Sequence, residues 1–248
     1  MRVKTKSAHV DSGAISVIIV TYGLSLGSAA LLSSLSPVRA LLTTLLVALN
    51  SLSLVRVHLR LVSRPRPTDY ALFTVNVAPY AYLLYPTPQP WLLLSLIPLL
   101  IFMMETLRGR GRGAAANIAG TALLSSTYLP WLYMIGITPS LMIIYIAIIW
   151  ESYHVFSAIY VEGKLPFRSI KPWVSSLWWL VLATLLTYLT INYKLYLAMM
   201  EPTARAVIAL REGKIGHSNL RATMRKIGIW SLIESIIMAI MLLLLIKY

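Results

Sequence analysis

Three carboxylates, Glu151, Glu201 and Glu234, fall inside long apolar runs of the sequence. An ionisable group at the centre of a membrane-crossing helix costs roughly 2.5–3.5 kcal/mol on insertion scales, so each needs a partner or a role. His154 follows Glu151 by three positions, which puts both on one helical face. Glu-x-x-His spacing also supplies ligands to di-iron bundles, but those take two such pairs and further glutamates. The chain has only four histidines and offers one pair, so no metal is expected and Glu151/His154 reads as a hydrogen-bonded or ion-paired couple. Glu201 precedes Pro202, which cannot continue the helical ladder, so the Ala198 carbonyl loses its donor and a kink is expected. Arg205, four residues on, is placed for an internal pair with Glu201. The alternative is a kinked, charged segment lining a polar cavity, as broken helices do in transporters. Glu234 has Trp230, Ser231, Ile237 and Met238 at its i±3 and i±4 positions. Its partner must therefore come from another helix, or it must hold a proton. Asn50, Asn76 and Asn117 are further polar side chains for such an interior.

The elements that must carry these groups follow from composition. Of 248 residues, 58% are hydrophobic and 12% charged, whereas soluble domains carry about 25% charged residues. So few charges cannot clothe a surface that faces water. The apolar runs are close to the ~20 residues that cross a bilayer core as a helix. The stretches 92–104 and 242–246 lack the alternation of membrane strands, and lipid leaves backbone groups no partner outside a helix. The expected fold is an all-α polytopic transmembrane bundle, a single domain over 1–248. About nine helices are expected, at 14–35, 38–59, 70–86, 91–107, 114–136, 140–162, 173–191, 193–211 and 227–247. Proline and glycine punctuate the joints, at Pro37, 86–90, 109–113, Pro139 and Pro172. Residues 14–35 form too long a run for a signal-peptide core, so the first helix is read as retained. Tyr85, Trp91, Trp131 and Trp173 near the ends of these segments fit an interfacial aromatic belt.

Basic residues orient the helices, because cytoplasmic loops are enriched in Lys and Arg. With the N-terminus in the cytoplasm and nine crossings, 19 of the 22 Lys and Arg fall inside and only Arg39, Lys194 and Lys247 outside. If the eighth segment did not cross, the division would drop to 14 against 8. The charge pattern thus predicts a multi-pass protein of the cell (plasma) membrane with its C-terminus outside. The formal charge of +14 is spread over five cytoplasmic segments. That spread fits topology and anionic head groups rather than nucleic acid.

Much chemistry is missing. Without cysteine there is no disulfide, zinc-thiolate site or thiol nucleophile. No Walker loop, Gly-x-Ser-x-Gly elbow or His-Glu-x-x-His occurs, and Gly-Arg-Gly-Arg-Gly at 109–113 lacks the strand of a dinucleotide site. No cofactor is expected.

Three stretches carry a family resemblance. They are Arg-Gly-Arg-Gly-Ala-Ala-Ala-Asn-Ile-Ala-Gly at 110–120 with Leu129-Pro130, Tyr-His-Val-Phe-Ser-Ala-Ile-Tyr-Val-Glu at 153–162 running on to Arg168, and Arg-Lys-Ile-Gly-Ile-Trp at 225–230. These resemble the YwiC-like integral membrane proteins, themselves similar in layout to the nine-helix UbiA prenyltransferases. The opening Glu-His-Gly-Ala-Trp signature of that family is reduced here to His9 and Gly13-Ala14. Where UbiA-type enzymes carry paired aspartates for Mg²⁺-diphosphate, this chain has Asn50, Leu54 and His58 among arginines. The resemblance therefore implies a UbiA-like or YwiC-like bundle that binds a lipid or isoprenoid-type anionic ligand between its helices, without metal-dependent catalysis. Arg56, Arg60, Arg64, Lys164 and Arg168 would form the rim that holds an isoprenoid or lipid phosphate. Two rivals stand beside it. One is a small transporter that carries protons or cations on Glu151, Glu201 and Glu234. The other is an accessory subunit whose polar residues serve only assembly.

Overall fold

A computed structural model describes residues 12–33, 35–54, 66–84 and 88–247. Arg56, Arg60, Arg64, His58, Tyr85, the N-terminal cations and His9 lie outside the described residues. Among those described, every regular element is helical. The α-helices are α1 (Ser12–Leu31), α2 (Pro37–Leu49), α3 (Pro67–Val77), α4 (Leu93–Leu107) and α5 (Ala114–Ser126), followed by α6 (Tyr128–Ile135), α7 (Leu141–Lys164), α8 (Trp173–Thr190), α9 (Tyr196–Ala209) and α10 (Leu220–Ile246). Five helical stretches are long and apolar enough to cross a membrane: Ser12–Leu31, Pro90–Leu107, Leu141–Lys164, Trp173–Tyr193 and His217–Ile246. Large apolar side chains crowd the outside, among them Leu41, Leu42, Leu100, Val181 and Ile240. An apolar exterior of this extent is compatible with a multi-pass membrane protein and foreign to a water-facing surface.

Helix occupies all nine expected segments, but several are not plain α-helices. The second runs from α2 into a π-helical turn at Asn50–Leu54, and the third passes from α3 into a 3₁₀ helix at Ala78–Leu84. Pro79 explains the second change, because it has no N–H to give the Val75 carbonyl and so ends the α-ladder. The fifth segment breaks at Thr127, for a reason that starts with Pro130. Restarting the helix at Tyr128 puts Pro130 in a first turn, where its missing N–H costs little. The hydroxyls of Ser125, Ser126 and Thr127 each donate to the carbonyl three residues back, at 2.6–3.0 Å. The Ser126 carbonyl, which Pro130 leaves without its usual donor, accepts the Ser95 hydroxyl of α4 at 3.3 Å.

The interior is built on fully buried aromatic rings, chiefly Trp131, Trp150, Trp179, Tyr128, Tyr153 and Phe156. The indole N–H groups of these three tryptophans each have a partner on another segment: Trp131 donates to Tyr80, Trp150 to Thr21 and Trp179 to Thr203, at 2.8–3.0 Å. Trp131 and Trp91 are thus core residues rather than members of an aromatic belt, whereas Trp173 stays exposed.

Two ends of the bundle can be told apart. At one, the segments 108–113, 163–172 and 210–216 meet. Arg168 Nη2 donates to the Arg112 carbonyl at 2.7 Å, the Lys214 ammonium to the Arg168 carbonyl, and the Ile215 N–H to the Lys164 carbonyl at 3.0 Å. At the other end, Arg39 reaches Gly136, and the ring of Tyr145 near the start of α7 lies 6.0 Å from that of Tyr193. Helix α9 begins beside Tyr193 and leads to Glu212, which pairs with Lys164 at the far end of α7. It therefore runs antiparallel to α7, from one end of the bundle to the other. Its 14 residues reach about 21 Å, less than the ~30 Å of a bilayer core. Helices α1 and α10 run parallel and cross tightly near their C-terminal ends, where a Cβ on Gly27 would lie 2.8 Å from the Leu243 side chain.

Candidate functional site

Helix α7 presents Tyr153, Ser157, Tyr160 and Lys164 at the three- and four-residue steps of a single face. Helices α9 and α10 cover that face. From α10 come Ser231, Glu234 and Ser235, and from α9 come Glu201 and Arg205. The guanidinium of Arg205 forms an ion pair with Glu234 and donates to Ser231 Oγ at 3.3 Å. Its flat side rests on two rings of α7, 4.6 Å from the centre of Tyr160 and 5.4 Å from that of Phe156. Both charged side chains are largely withdrawn from the surface, 14% exposed for Arg205 and 15% for Glu234. Around them lies a hydroxyl cluster. Tyr153 donates to the Ser231 carbonyl at 3.3 Å, while Ser157 Oγ sits 3.4 Å from Ser231 Oγ and Ser235 Oγ 3.4 Å from the Tyr153 hydroxyl.

Glu234 thus takes its cation from another helix, while the Glu201–Arg205 pair within α9 does not form. The energetics explain the choice. An exposed i,i+4 pair contributes only ~0.3–0.5 kcal/mol, whereas a buried charge left alone costs several. Arg205 serves the deeper carboxylate. One carboxylate oxygen of Glu201 is left buried with no hydrogen-bond partner.

Glu151 and His154 do not join each other either. Glu151 Oε2 and His154 Nε2 are both buried without hydrogen-bond partners. The imidazole is wedged edge-on between the rings of Trp150 and Tyr153, at 4.5 and 5.1 Å. Those contacts hold it away from the carboxylate one turn earlier. Among the described residues no group of three or more His, Cys, Asp or Glu side chains is placed to share a metal ion.

Towards the end where the cationic loops gather, Lys164 and Arg168 are already engaged. Lys164 Nζ lies 3.0 Å from Glu212 Oε2 and donates to the Gly213 carbonyl at 3.1 Å. The same carboxylate oxygen accepts the Tyr160 hydroxyl at 2.6 Å. Arg168 Nε lies 2.6 Å from Glu162 Oε2, and Glu162 Oε1 accepts the Asn117 side-chain amide at 2.7 Å. Glu212 sits beyond the end of α9, and its carboxyl is held below the usual range. Burial alone would push it up, but hydrogen bonds from Tyr160 and Lys164 and the positive charge of Lys164 and Arg205 outweigh that.

Sequence reasoning passed over Glu162, Glu212, Tyr153 and Tyr160. The signal was present, because Tyr153, Ser157, Tyr160 and Lys164 keep helical register along one face of the segment. A second polar cluster links α2 with the third segment. Asn50 donates to Asn76 at 3.2 Å and accepts Tyr80 at 2.9 Å, while Asn76 donates to Ser53 at 2.8 Å and to the Leu72 carbonyl at 2.7 Å. No family model, curated protein or solved structure matches the chain.

Proposed function

We propose that the chain is a small multi-pass carrier of the cell membrane, with a cytoplasmic N-terminus, in which Glu201, Arg205 and Glu234 bind and release a proton or a monovalent cation. One observation carries the reading: Glu201 keeps a buried, unpartnered carboxylate oxygen beside an arginine already committed to Glu234. The cluster holds two carboxylates and one guanidinium, which is spent on Glu234, so charge balance is completed by one more positive charge. A proton supplies it with least demand on space. The convergence of segments 108–113, 163–172 and 210–216 at one end supports the orientation read from the charges.

A lipid-phosphate site on a cytoplasmic rim has less support, because Lys164 and Arg168 spend their charge on Glu212 and Glu162. The test follows proton binding in protein reconstituted in liposomes. Infrared difference spectra across a pH jump should show a protonated carboxyl band that Glu201→Gln removes, and dye-reported proton flux should fall with it. A band and a flux unchanged in Glu201→Gln would sink the proposal.

A further inference from the structure

At the end of the bundle opposite Glu212, helix α2 borders an open trough of about 410 Å³. Arg39, Leu42, Leu46 and Leu49 line one wall at three- and four-residue steps, so they form a stripe on one helical face. From Arg39 to Leu49 the stripe runs about 15 Å along α2. Tyr82 and Met134 close the other side. Apart from Arg39, Tyr82 and Thr43, whose hydroxyl donates back to the Arg39 carbonyl at 2.8 Å, the lining is apolar.

Arg39 makes this trough more than an unpartnered apolar face. Among the described residues its guanidinium has no acidic partner, and it lies on the side to which the charge pattern assigns only two other cations, Lys194 and Lys247. Its guanidinium lies against Gly136. That residue caps the C-terminus of α6 with φ +118°, and a Cβ there would come 3.3 Å from Arg39 Nη1. The carbonyl end of α6 favours a cation at this point. Gly136 also borders a second hollow of about 260 Å³, with Thr138 and Ser140 in its wall. A hollow with two hydroxyl residues in its wall and a largely apolar trough thus lie on either side of the contact between Gly136 and a guanidinium that has no acidic partner among the described residues, which is the outline of an anionic amphiphile. An apolar helix laid on the leucine stripe would offer the exposed Arg39 guanidinium no counter-charge, and free phosphate would leave the stripe unused.

We infer that this trough is a binding site for an anionic phospholipid. Arg39 takes the phosphate, the Thr138 and Ser140 side accommodates the head-group hydroxyls, and one acyl chain lies along Leu42, Leu46 and Leu49. The site is remote from Glu201 and stands independently of the carrier proposal.

The test uses the full chain in a mild neutral detergent. Binding of phosphatidylglycerol, of phosphatidylcholine with the same chains, and of inorganic phosphate is read from unfolding midpoints and from adducts in native mass spectrometry. Wild-type protein should hold one phosphatidylglycerol in preference to phosphatidylcholine. Arg39→Gln should weaken that preference about tenfold, as expected for loss of a charge-assisted hydrogen bond. Leu46→Trp, which fills the trough and leaves the head-group side intact, should weaken both lipids. Arg211→Gln, an exposed cation elsewhere, serves as control. An unchanged preference in Arg39→Gln, or an equal loss in Arg211→Gln, overturns the assignment. Inorganic phosphate acting as strongly as the lipid, with Leu46→Trp without effect, overturns it in favour of an anion site. Because Glu201→Gln should bind lipid as wild type does, failure of this proposal is distinguishable from failure of the carrier.

Discussion

The bundle contains two polar clusters that differ in kind. In the N-terminal half, Asn50, Ser53, Asn76, Tyr80 and Trp131 form a neutral network in which each side chain finds its complement. In the C-terminal half, Glu201, Arg205 and Glu234 form a charged cluster whose account does not close, because one Glu201 oxygen has no donor. Helical distortion accompanies the first cluster: the π turn holds Asn50 and the 3₁₀ helix holds Tyr80. Those irregular turns are where Asn50 and Tyr80 meet. A satisfied neutral network fixes register and offers nothing to a ligand. A cluster with an unmatched carboxylate is held together by packing, and its spare valence is available for exchange.

The sharpest way to break the comparison is to unpair Arg205. Glu234→Leu should destabilise the protein by ~3–5 kcal/mol, because it leaves a buried guanidinium without a counter-charge. Glu234→Gln keeps a hydrogen-bond acceptor and should cost less. Denaturation in detergent micelles measures both. If Glu234→Leu proved no worse than substitutions in the neutral network, the ion pair would not organise the α7–α9–α10 contact. Asn76→Leu should follow at ~1–3 kcal/mol, since it strands the Asn50 amide in the interior, while Ser53 keeps the Leu49 carbonyl as acceptor. Glu201→Leu should move the other way, with equal or higher stability, because it removes a buried oxygen with no partner. Stability gained as proton binding is lost would separate the functional cluster from the structural one.

These outcomes bear on what the sequence made legible. Hydropathy and the Pro and Gly joints located helix in all nine segments, since those signals are local. That Glu234 needs a partner from another helix was equally local, being the absence of a cation at i±3 or i±4. Which cation answers it was not. The pairing depends on α9 and α10 lying side by side, and the local rule pointed Arg205 at Glu201 instead. Lys164 shows the same limit: it is visible as a charge, but Glu212 consumes it only once segments distant in sequence meet, whereas Glu162 and Arg168 belong to one stretch of chain and their pairing was within local reach. The break at Thr127 was readable in principle, from Pro130 and the three hydroxyl residues before it. It was masked by the length of 114–136, which suffices for one continuous crossing.

The smallest effect belongs where the charged cluster meets the surface. Glu212 is about a third exposed, and its carboxyl is held below its ordinary value of 4.5 by Tyr160, Lys164 and Arg205 against the opposing pull of burial. A carboxyl more acidic in the folded than in the unfolded state stabilises the fold at neutral pH, and that contribution is lost as pH falls through the folded value. Wild-type protein should therefore lose stability between pH ~6 and ~3 more steeply than Glu212→Gln, with the two curves converging at the acid end. The difference should shrink in high salt, because the pair is open to solvent. Curves that ran parallel would show that Glu212 merely touches Lys164. A difference that survived high salt would place Glu212 in the same shielded environment as Glu234, and extend the charged cluster of the C-terminal half from Ser235 to the end of α9.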